Sequence, residues 1–521
     1  MPIVNINNFS RGIADDYTRG AVGQCSVVKQ FDTFTYPFRL HPLRGMVNTN
    51  EPTDSGIGNM ILGENGGMYA VGYNPANTTQ GELYKRTGFG ASDVWQDFTN
   101  DQLASNATEV RYDFLVHFPE MGAARKLFWA DPTVIIATDP TDANSTDTEP
   151  LVNTYVGQGI VHPKDKILYF PYLSSSGASI IGKIATHASD AFGTINFTAF
   201  TLSDRFKVYC LSYFGDYLAI PMTIVGAPSD SYVGLWDRDT TLTTLNQSIN
   251  WGKGLLKVLN NLNGALIGVS VLSAELGSGA AQDQDKIQIK VYEGGAEPFL
   301  VKELTATRLT TTNPSCVVNH RVNFVRNNRL YFSANVVNGD SDSNYYGLWS
   351  VGKNKFGEWT VILERVATND NSETGVIAAA MYGDFLSTAH TSAGTLTYTV
   401  NGNVLSSIYG ATSVYESTIN PEMSDDHKRL RKRLVGVYAT YLPLPAAGQV
   451  VMKYRVNSNK DDSWTTIFTE TTDDETLTEA VTDANKNQFP DFENVEFRLE
   501  STGGAVITGF GYKYEPQKSQ I

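Results

Sequence analysis

Short apolar runs separated by turns rich in Gly, Asn and Asp recur along most of this 521-residue chain. Apolar residues almost never return at helical spacing for three turns, so the pattern predicts strands throughout. The clearest copy runs from Tyr213 to Arg238: YFGDYLAI, a polar loop, then YVGLWDR. Similar hairpin turns lie at Asn65-Gly66-Gly67, Met121-Gly122, Lys164-Asp165, Gly215-Asp216, Asn263-Gly264, Asn327-Asn328 and Gly383-Asp384. Asn, Asp and Gly tolerate the positive φ of tight hairpins, which is why they mark these positions. A third strand is expected after each hairpin, at 82–86, 134–138, 179–184, 233–238, 287–292, 346–351 and 396–400. A fourth is expected at 94–98, 151–155, 195–200, 244–249, 299–304, 359–364 and 404–409.

Neighbouring turns sit about 50 residues apart, the period of a propeller blade. The expected architecture is therefore all-β, a β-propeller of about seven four-stranded blades, with six or eight left open. The segment 413–418 (SVYEST) or the leader strand 26–31 (SVVKQF) is expected to supply the shared strand that closes it. Residues 1–50 read as an extended N-terminal leader, in which Pro37 and Pro42 favour extended backbone. Such a leader either pins a terminus onto the fold or reaches a neighbouring subunit. The propeller is expected over 51–421. Beyond Asn420-Pro421 the pattern changes, and residues 422–521 carry strand-like runs of β-sandwich size at 434–442, 449–456, 464–469, 495–500 and 505–514.

Composition agrees and narrows the class. The 45 Gly, 26 Tyr and 25 Phe favour turns and strands. A formal charge of -15 argues against a general nucleic-acid coat, which needs clustered cations. It suits a soluble surface, or a lumen past which a polyanion slides without sticking. Cys25, Cys210 and Cys316 are too few and too scattered for a disulfide framework or a cysteine zinc site. Residues 1–10 lack the basic and apolar regions of a secretory signal, and no apolar run is long enough to span a membrane. Synthesis and folding in the cytoplasm, without membrane insertion, are expected.

Candidate chemistry is sparse. Asp340, Asp342 and Asn344 alternate like calcium ligands, but Tyr345 and Val351 stand where an EF-hand needs Gly and Glu, so a polar hairpin loop explains them more simply. The basic stretch His427–Arg433 within Ser424–Arg433 (SDDHKRLRKR) reads as a charged hinge and a salt-bridge site between domains or subunits, rather than a DNA site. The seven histidines are dispersed without metal spacing, and neither a nucleophile elbow nor a phosphate-binding loop is present. The stretch from Asn354 to Trp359 only approaches a sialidase-type Asp-box. Tyr345 and Tyr346 suit sugar stacking or blade packing equally, whereas Trp236 and Trp349, at one place in their repeats, read as structural. No catalytic, cofactor-binding or metal residue is assigned, and no cofactor is expected.

Three stretches together resemble structural tail proteins of tailed bacteriophages: the leader phrase NNFSRGIADD with RLHPLRGM after it, the repeated body, and Gly448–Phe468 (GQVVMKYRVNSNKDDSWTTIF). Arg11 stands where such leaders usually carry a first Gly. The resemblance implies a non-enzymatic nozzle, hub or fibre-adaptor of the virion tail, made in the host cytoplasm. It implies a homo-oligomer that binds other virion tail proteins around the DNA exit route and touches passing DNA without specific binding. The alternatives are a receptor- or carbohydrate-binding propeller at the tail tip and, less favoured, a glycan-cleaving enzyme whose two carboxylates converge from distant blades.

Overall fold

The computed structural model describes residues 2–10, 12–13, 24–43, 46–49, 58–63, 67–74, 77–86, 95–98, 113–130, 134–150, 156–173, 177–224, 230–241, 244–272, 286–305, 316–336, 345–366, 376–382, 385–392, 395–401, 412–457, 463–481 and 489–517. Among them every regular element is a strand except one helical turn, Asp425–Lys428, so the chain is all-β. It divides into two compact bodies. The larger comprises 48–337 and 367–400, and the smaller 1–47, 338–366 and 401–521. Residues 1–47 of the leader are thus part of the smaller body, together with the last hundred residues.

The larger body is a succession of small antiparallel sheets. The first holds Asn59–Leu62, Met68–Asn74, Asn77–Arg86 and Gln96–Asp97, and the second Leu115–His117, Leu127–Ala130, Val134–Asp139 and Asp142–Pro150. The third holds Ile160–Val161, Leu168–Leu173, Ser179–Ile184 and Ile195–Thr201. In the fourth, Phe206–Lys207 and Ser212–Phe214 both pair with Tyr217–Ile224, followed by Asp230–Trp236 and Gln247–Lys253. The fifth holds Leu255–Leu262, Ala265–Leu272, Lys286–Tyr292 and Phe299–Thr305. The hairpin Cys316–Arg326/Arg329–Val336 comes sixth. Seventh are Val376–Tyr382, Phe385–Ser392 and Thr395–Asn401, completed by Met46–Thr49 at the edge.

The turn chemistry explains the hairpins. Asn263 and Gly264 have φ of +53° and +87°, and Asn327 and Asn328 +48° and +57°. Two-residue loops with both φ positive match the right-handed twist of the strands they join. Gly215, at φ +55°, starts the turn between Phe214 and Tyr217.

Two expectations need correction, and a third falls outside the described residues. The fourth strand of the second sheet is Asp142–Pro150; residues 151–155 lie outside the described residues. The reversal is immediate because Asp139 Oδ1 accepts both the Thr141 N–H at 2.8 Å and its hydroxyl at 2.7 Å. Residues 404–409, expected as the last strand of the seventh group, also lie outside the described residues. Neither proposed closing segment lies in the seventh sheet. Gln24–Lys29 and Ser413–Ser417 pair with each other in the smaller body, and Met46–Thr49 takes the edge position.

Apolar clusters join each of the first five sheets to its neighbour. Leu83 and Trp129 belong to one linking the first and second, Phe128 and Phe170 to one linking the second and third. Tyr169 and Trp236 link the third and fourth, and Leu235 and Leu259 the fourth and fifth. Side-chain amides carry the next two steps. Asn260 Nδ2 donates to Asn323 Oδ1 at 3.1 Å, and Asn319 Nδ2 donates to the carbonyls of Val376 and Ile377 at 3.2 and 3.1 Å. Met60, Tyr84, Ala378 and Phe385 then pack the seventh sheet on the first. The succession returns on itself.

In the smaller body two sheets share a core. One has the order Ile3–Ile6, Ile507–Pro516, Lys432–Tyr441, Leu477–Val481, with Asp491–Phe492 also on Lys432–Tyr441. The other runs Trp359–Val366, Gln24–Lys29, Ser413–Ser417, Val495–Thr502, Gln449–Val456, Thr465–Glu470, and Tyr345–Lys353 pairs with Trp359–Val366. Burial alternates along Lys432–Tyr441 and Gln449–Val456, as expected of strands with one face on a core. Phe497 of one sheet meets Phe510 and Tyr512 of the other, with ring centroids 5.9 and 4.9 Å apart.

Candidate functional site

One polar cluster of the larger body is built by a break in one strand. Along Cys316–Arg326, Asn319 faces Ser333 and Asn323 faces Phe332, so the register shifts across His320, Arg321 and Val322 and the strand bulges there. Bulges of this kind re-aim side chains. Asn319 holds the break in shape, because its Oδ1 accepts the Arg321 N–H at 3.0 Å. His320 Nε2 and Arg321 Nε both reach Asp113 Oδ1, at 2.8 and 2.7 Å, from the far side of the succession of sheets.

Tyr209 completes the cluster. Its ring centroid lies 5.2 Å from that of His320, 4.1 Å from Lys257 Nζ and 5.0 Å from Lys207 Nζ. Its backbone is tied to the third sheet by Gln158 N–H to Tyr209 O at 3.2 Å. Asp113, Tyr209, Lys257 and His320 thus come from the second, fourth, fifth and sixth groups to one place. Burial pushes the Asp113 carboxyl up, but the bonds and charges of His320 and Arg321 outweigh it and hold the group well below the usual carboxylate range. His320 goes the other way: burial, together with the Arg321 and Lys257 charges, lowers its pKa against the raising effect of Asp113. At neutral pH the pair is a carboxylate facing a neutral imidazole. An ionised carboxylate only accepts, so the imidazole proton resides on Nε2.

A second cluster braces the third and fourth sheets. Arg238 Nη1 donates to Asp165 Oδ2 at 2.5 Å and to His162 Nδ1 at 3.0 Å, and the Tyr169 hydroxyl donates to the same Asp165 oxygen at 2.9 Å. Burial, then the Arg238 charge, lowers the pKa of His162, which suits an Nδ1 that accepts. Lys164 pairs with Asp216 beside it. The Lys164-Asp165 and Gly215-Asp216 turns, read from sequence as punctuation, therefore also carry the braces.

Several sequence candidates are accounted for by packing. Trp236 and Trp349 are both fully buried. The basic stretch is engaged within its own body: Lys428 pairs with Asp425, Arg431 and Arg433 with Asp491, and His427 Nδ1 with the Tyr514 hydroxyl. Lys432 is buried, and its ammonium donates to the carbonyls of His427, Lys428 and Leu430. Burial pushes its pKa down to about 8. The Asp-box-like stretch is a turn in which Asn354 Oδ1 accepts the N–H groups of Phe356 and Glu358. Asp340, Asp342 and Asn344 lie outside the described residues. Among the described residues no three His, Cys, Asp or Glu side chains are grouped to hold a metal ion, and no helix is long and apolar enough to cross a membrane.

No family model and no curated protein sequence matches the chain. Among solved structures it is similar to the Kuenenia stuttgartiensis Hydrazine Synthase, with a TM-score of 0.38 and 11% identity over 67% of this chain and 96% of that one. It is also similar to a structure named Glycoside hydrolase, with a TM-score of 0.28 and 9% identity over 89% and 99% of the two chains. Likenesses this slight carry no argument about fold or chemistry. What the cluster can do follows from its own residues.

Sequence reasoning passed over His320, Arg321 and Asp113. The available signal was the polar triplet Asn319-His320-Arg321 inside an otherwise apolar strand, CVVNHRVNF. It marks a bulge, and its partner Asp113 is too distant in sequence to be paired with it by inspection.

Proposed function

We propose that this chain is a non-enzymatic structural component of a bacteriophage tail, of nozzle, hub or fibre-adaptor type. In this reading the seven groups of strands are the blades of a β-propeller, whose last blade is completed by Met46–Thr49. The smaller body is a β-sandwich. The observation that carries the proposal is the place of the leader phrase that supports the resemblance. Phe9 is buried with its ring edge-on to Tyr415 at 5.2 Å. The Ser10 carbonyl accepts from Asn354 Nδ2 at 3.0 Å and from the Thr360 hydroxyl at 2.8 Å. Within the phrase, Phe9 and Ser10 are fasteners with a packing role, which favours an architectural part over a reactive loop. The cross-braced cluster at Asp113 supports a mechanical role too, since its carboxylate is already occupied by two donors.

The protein would act by subunit contacts, with other tail proteins as partners and DNA as a passing cargo. The test is the assembly state of the purified chain by sedimentation velocity and electron microscopy, with mass spectrometry of purified particles. A closed homo-oligomer with a channel wide enough for duplex DNA, and the chain present in particles, is expected. A chain that stays monomeric at all concentrations and is absent from particles overturns the proposal. A monomer or peripheral trimer that binds host envelopes saturably would favour receptor recognition instead.

A further inference from the structure

Exposed apolar side chains gather at one end of the smaller body. Among the described residues nine large apolar side chains are exposed, and four of them, Phe38, Phe356, Leu442 and Leu477, lie there. Backbone bonds fix their common place. Leu40 and Ile507 donate to each other's carbonyls at 2.8 and 3.2 Å, Ile507 is opposite Tyr441, and the Tyr441 N–H donates to Thr476 O at 3.0 Å. Each step is one strand spacing, so the loop before Leu40 and the turn before Leu477 lie on the order of 15 Å apart. The two halves carry opposite charge. On one, the Phe38 and Phe356 rings meet edge-on at 5.6 Å with Lys355 Nζ 5.3 Å from both, and the Arg39 guanidinium stands 4.2 Å over Tyr36. On the other, Asp473 and Asp474 form an exposed turn just before Leu477. Among the described residues no carboxylate pairs with Lys355 or Arg39, and no cation with Asp473 or Asp474. Both halves are held in shape. Asp32 Oδ1 accepts the N–H groups of Phe34 and Thr35 at 3.1 and 3.0 Å, and Glu475 Oε1 those of Thr476 and Leu477 at 3.0 and 3.3 Å. Surfaces shaped in advance lose little conformational freedom on binding.

We propose that this end of the smaller body is a contact between copies of the chain, in which Phe38, Phe356 and Lys355 of one copy dock on Leu442, Leu477 and Asp473 of the next. Exposed apolar side chains gathered in one place and rimmed by charge mark an interaction surface. Complementarity selects the occupant, because a second copy supplies the half that each copy lacks a partner for. The apolar pairs bury one another, and the opposite charges set the orientation of docking. This contact rests on the homo-oligomer of the tail reading and gives it a surface.

The test is sedimentation velocity of the full chain over a concentration series, with charge-reversed variants alone and mixed. Lys355→Glu places like charge against the acidic half, and Asp473→Lys places like charge against the basic half. Each alone should weaken self-association by about tenfold or more. An equimolar mixture of the two should restore it, since every contact between unlike variants again joins opposite charges. Phe356→Ser should also weaken association, whereas Lys166→Glu, at an exposed lysine paired with Glu120, should leave it unchanged. All these positions except Glu120 are exposed, and circular dichroism checks that each variant is folded. An unmodified chain that stays monomeric at every concentration overturns the contact. So do folded Lys355→Glu and Asp473→Lys variants that associate as the unmodified chain does, or a mixture no stronger than its components. If the chain assembles but these variants assemble equally well, the contact fails and the tail reading stands. If the mixture restores association but the chain is absent from particles, the contact stands and the tail reading fails.

Discussion

Arg238 shows how a single residue can be held against its own backbone preference. Its φ of +70° lies in the left-handed region, which costs a residue with a Cβ about 1–2 kcal/mol. The ion pair with Asp165 and the bond to His162 offset that cost. Arg238→Gly loses the pair but relieves the backbone, whereas Arg238→Ala loses the pair and keeps the strain. Urea unfolding should therefore rank the unmodified chain above Gly, and Gly above Ala by about 1 kcal/mol. An alanine variant as stable as the glycine variant would refute the backbone argument.

Glu470 makes a second test at this scale. Hydrogen bonds from the Thr472 side chain and backbone, from the Thr478 hydroxyl and from the Thr471 N–H outweigh its partial burial and hold its pKa near about 2, against an ordinary 4.5. A folded-state pKa below the unfolded one gives stability that is present above pH 4.5 and lost as pH falls toward 2. Glu470→Gln should flatten that part of the acid-unfolding profile of the smaller body. A variant profile as steep as the original in this window would show that Glu470 is not responsible.

At the scale of elements, the leader is the part whose role is easiest to test. Gln24–Lys29 sits between Trp359–Val366 and Ser413–Ser417, and Phe9 fills a buried position. Phe9→Ala should destabilise the smaller body by about 3–5 kcal/mol, the usual cost of emptying a buried phenylalanine site. Intrinsic fluorescence and calorimetry should show the change in one unfolding transition. An effect below 1 kcal/mol would mean the leader is not the clasp described here.

The strands themselves were largely legible in the sequence. Ser179–Ile184 and Gln449–Val456 occupy their expected spans, and the Asn263-Gly264 and Asn327-Asn328 turns adopt the positive φ those residue types tolerate. These are local properties, readable from alternation and turn chemistry. The pairing of Ile3–Ile6 with Ile507–Pro516 was not legible, because strand partners distant in sequence leave no local mark. Leu477–Val481 was missed for another reason: its LTEAV run is short and alternates weakly. The Asp113 cluster combines both difficulties, a bulge that breaks the period and a partner far along the chain.

For the whole molecule, two bodies that interleave in sequence imply a specific response to truncation. Deleting residues 2–30 removes Ile3–Ile6 and Gln24–Lys29 from the two sheets of the smaller body but leaves Met46–Thr49 for the seventh sheet. Calorimetry should show the smaller body's transition lost while the larger body still melts cooperatively. The truncated chain should also fail to enter particles, if the tail reading holds. Two intact transitions after the deletion would mean that the leader strands are dispensable to the sheets they join.

The position of Met46–Thr49 has a consequence for biosynthesis. This strand leaves the ribosome early, but its neighbour Thr395–Asn401 follows about 350 residues later, a wait of roughly 20–70 s at ordinary elongation rates. For that interval the nascent chain carries an unpaired early strand while successive sheets form behind it. Productive closure therefore depends on keeping that strand from pairing with sheet edges that appear in the meantime. Slowing translation should raise misfolded yield through this segment more than through any strand whose partner is adjacent in sequence.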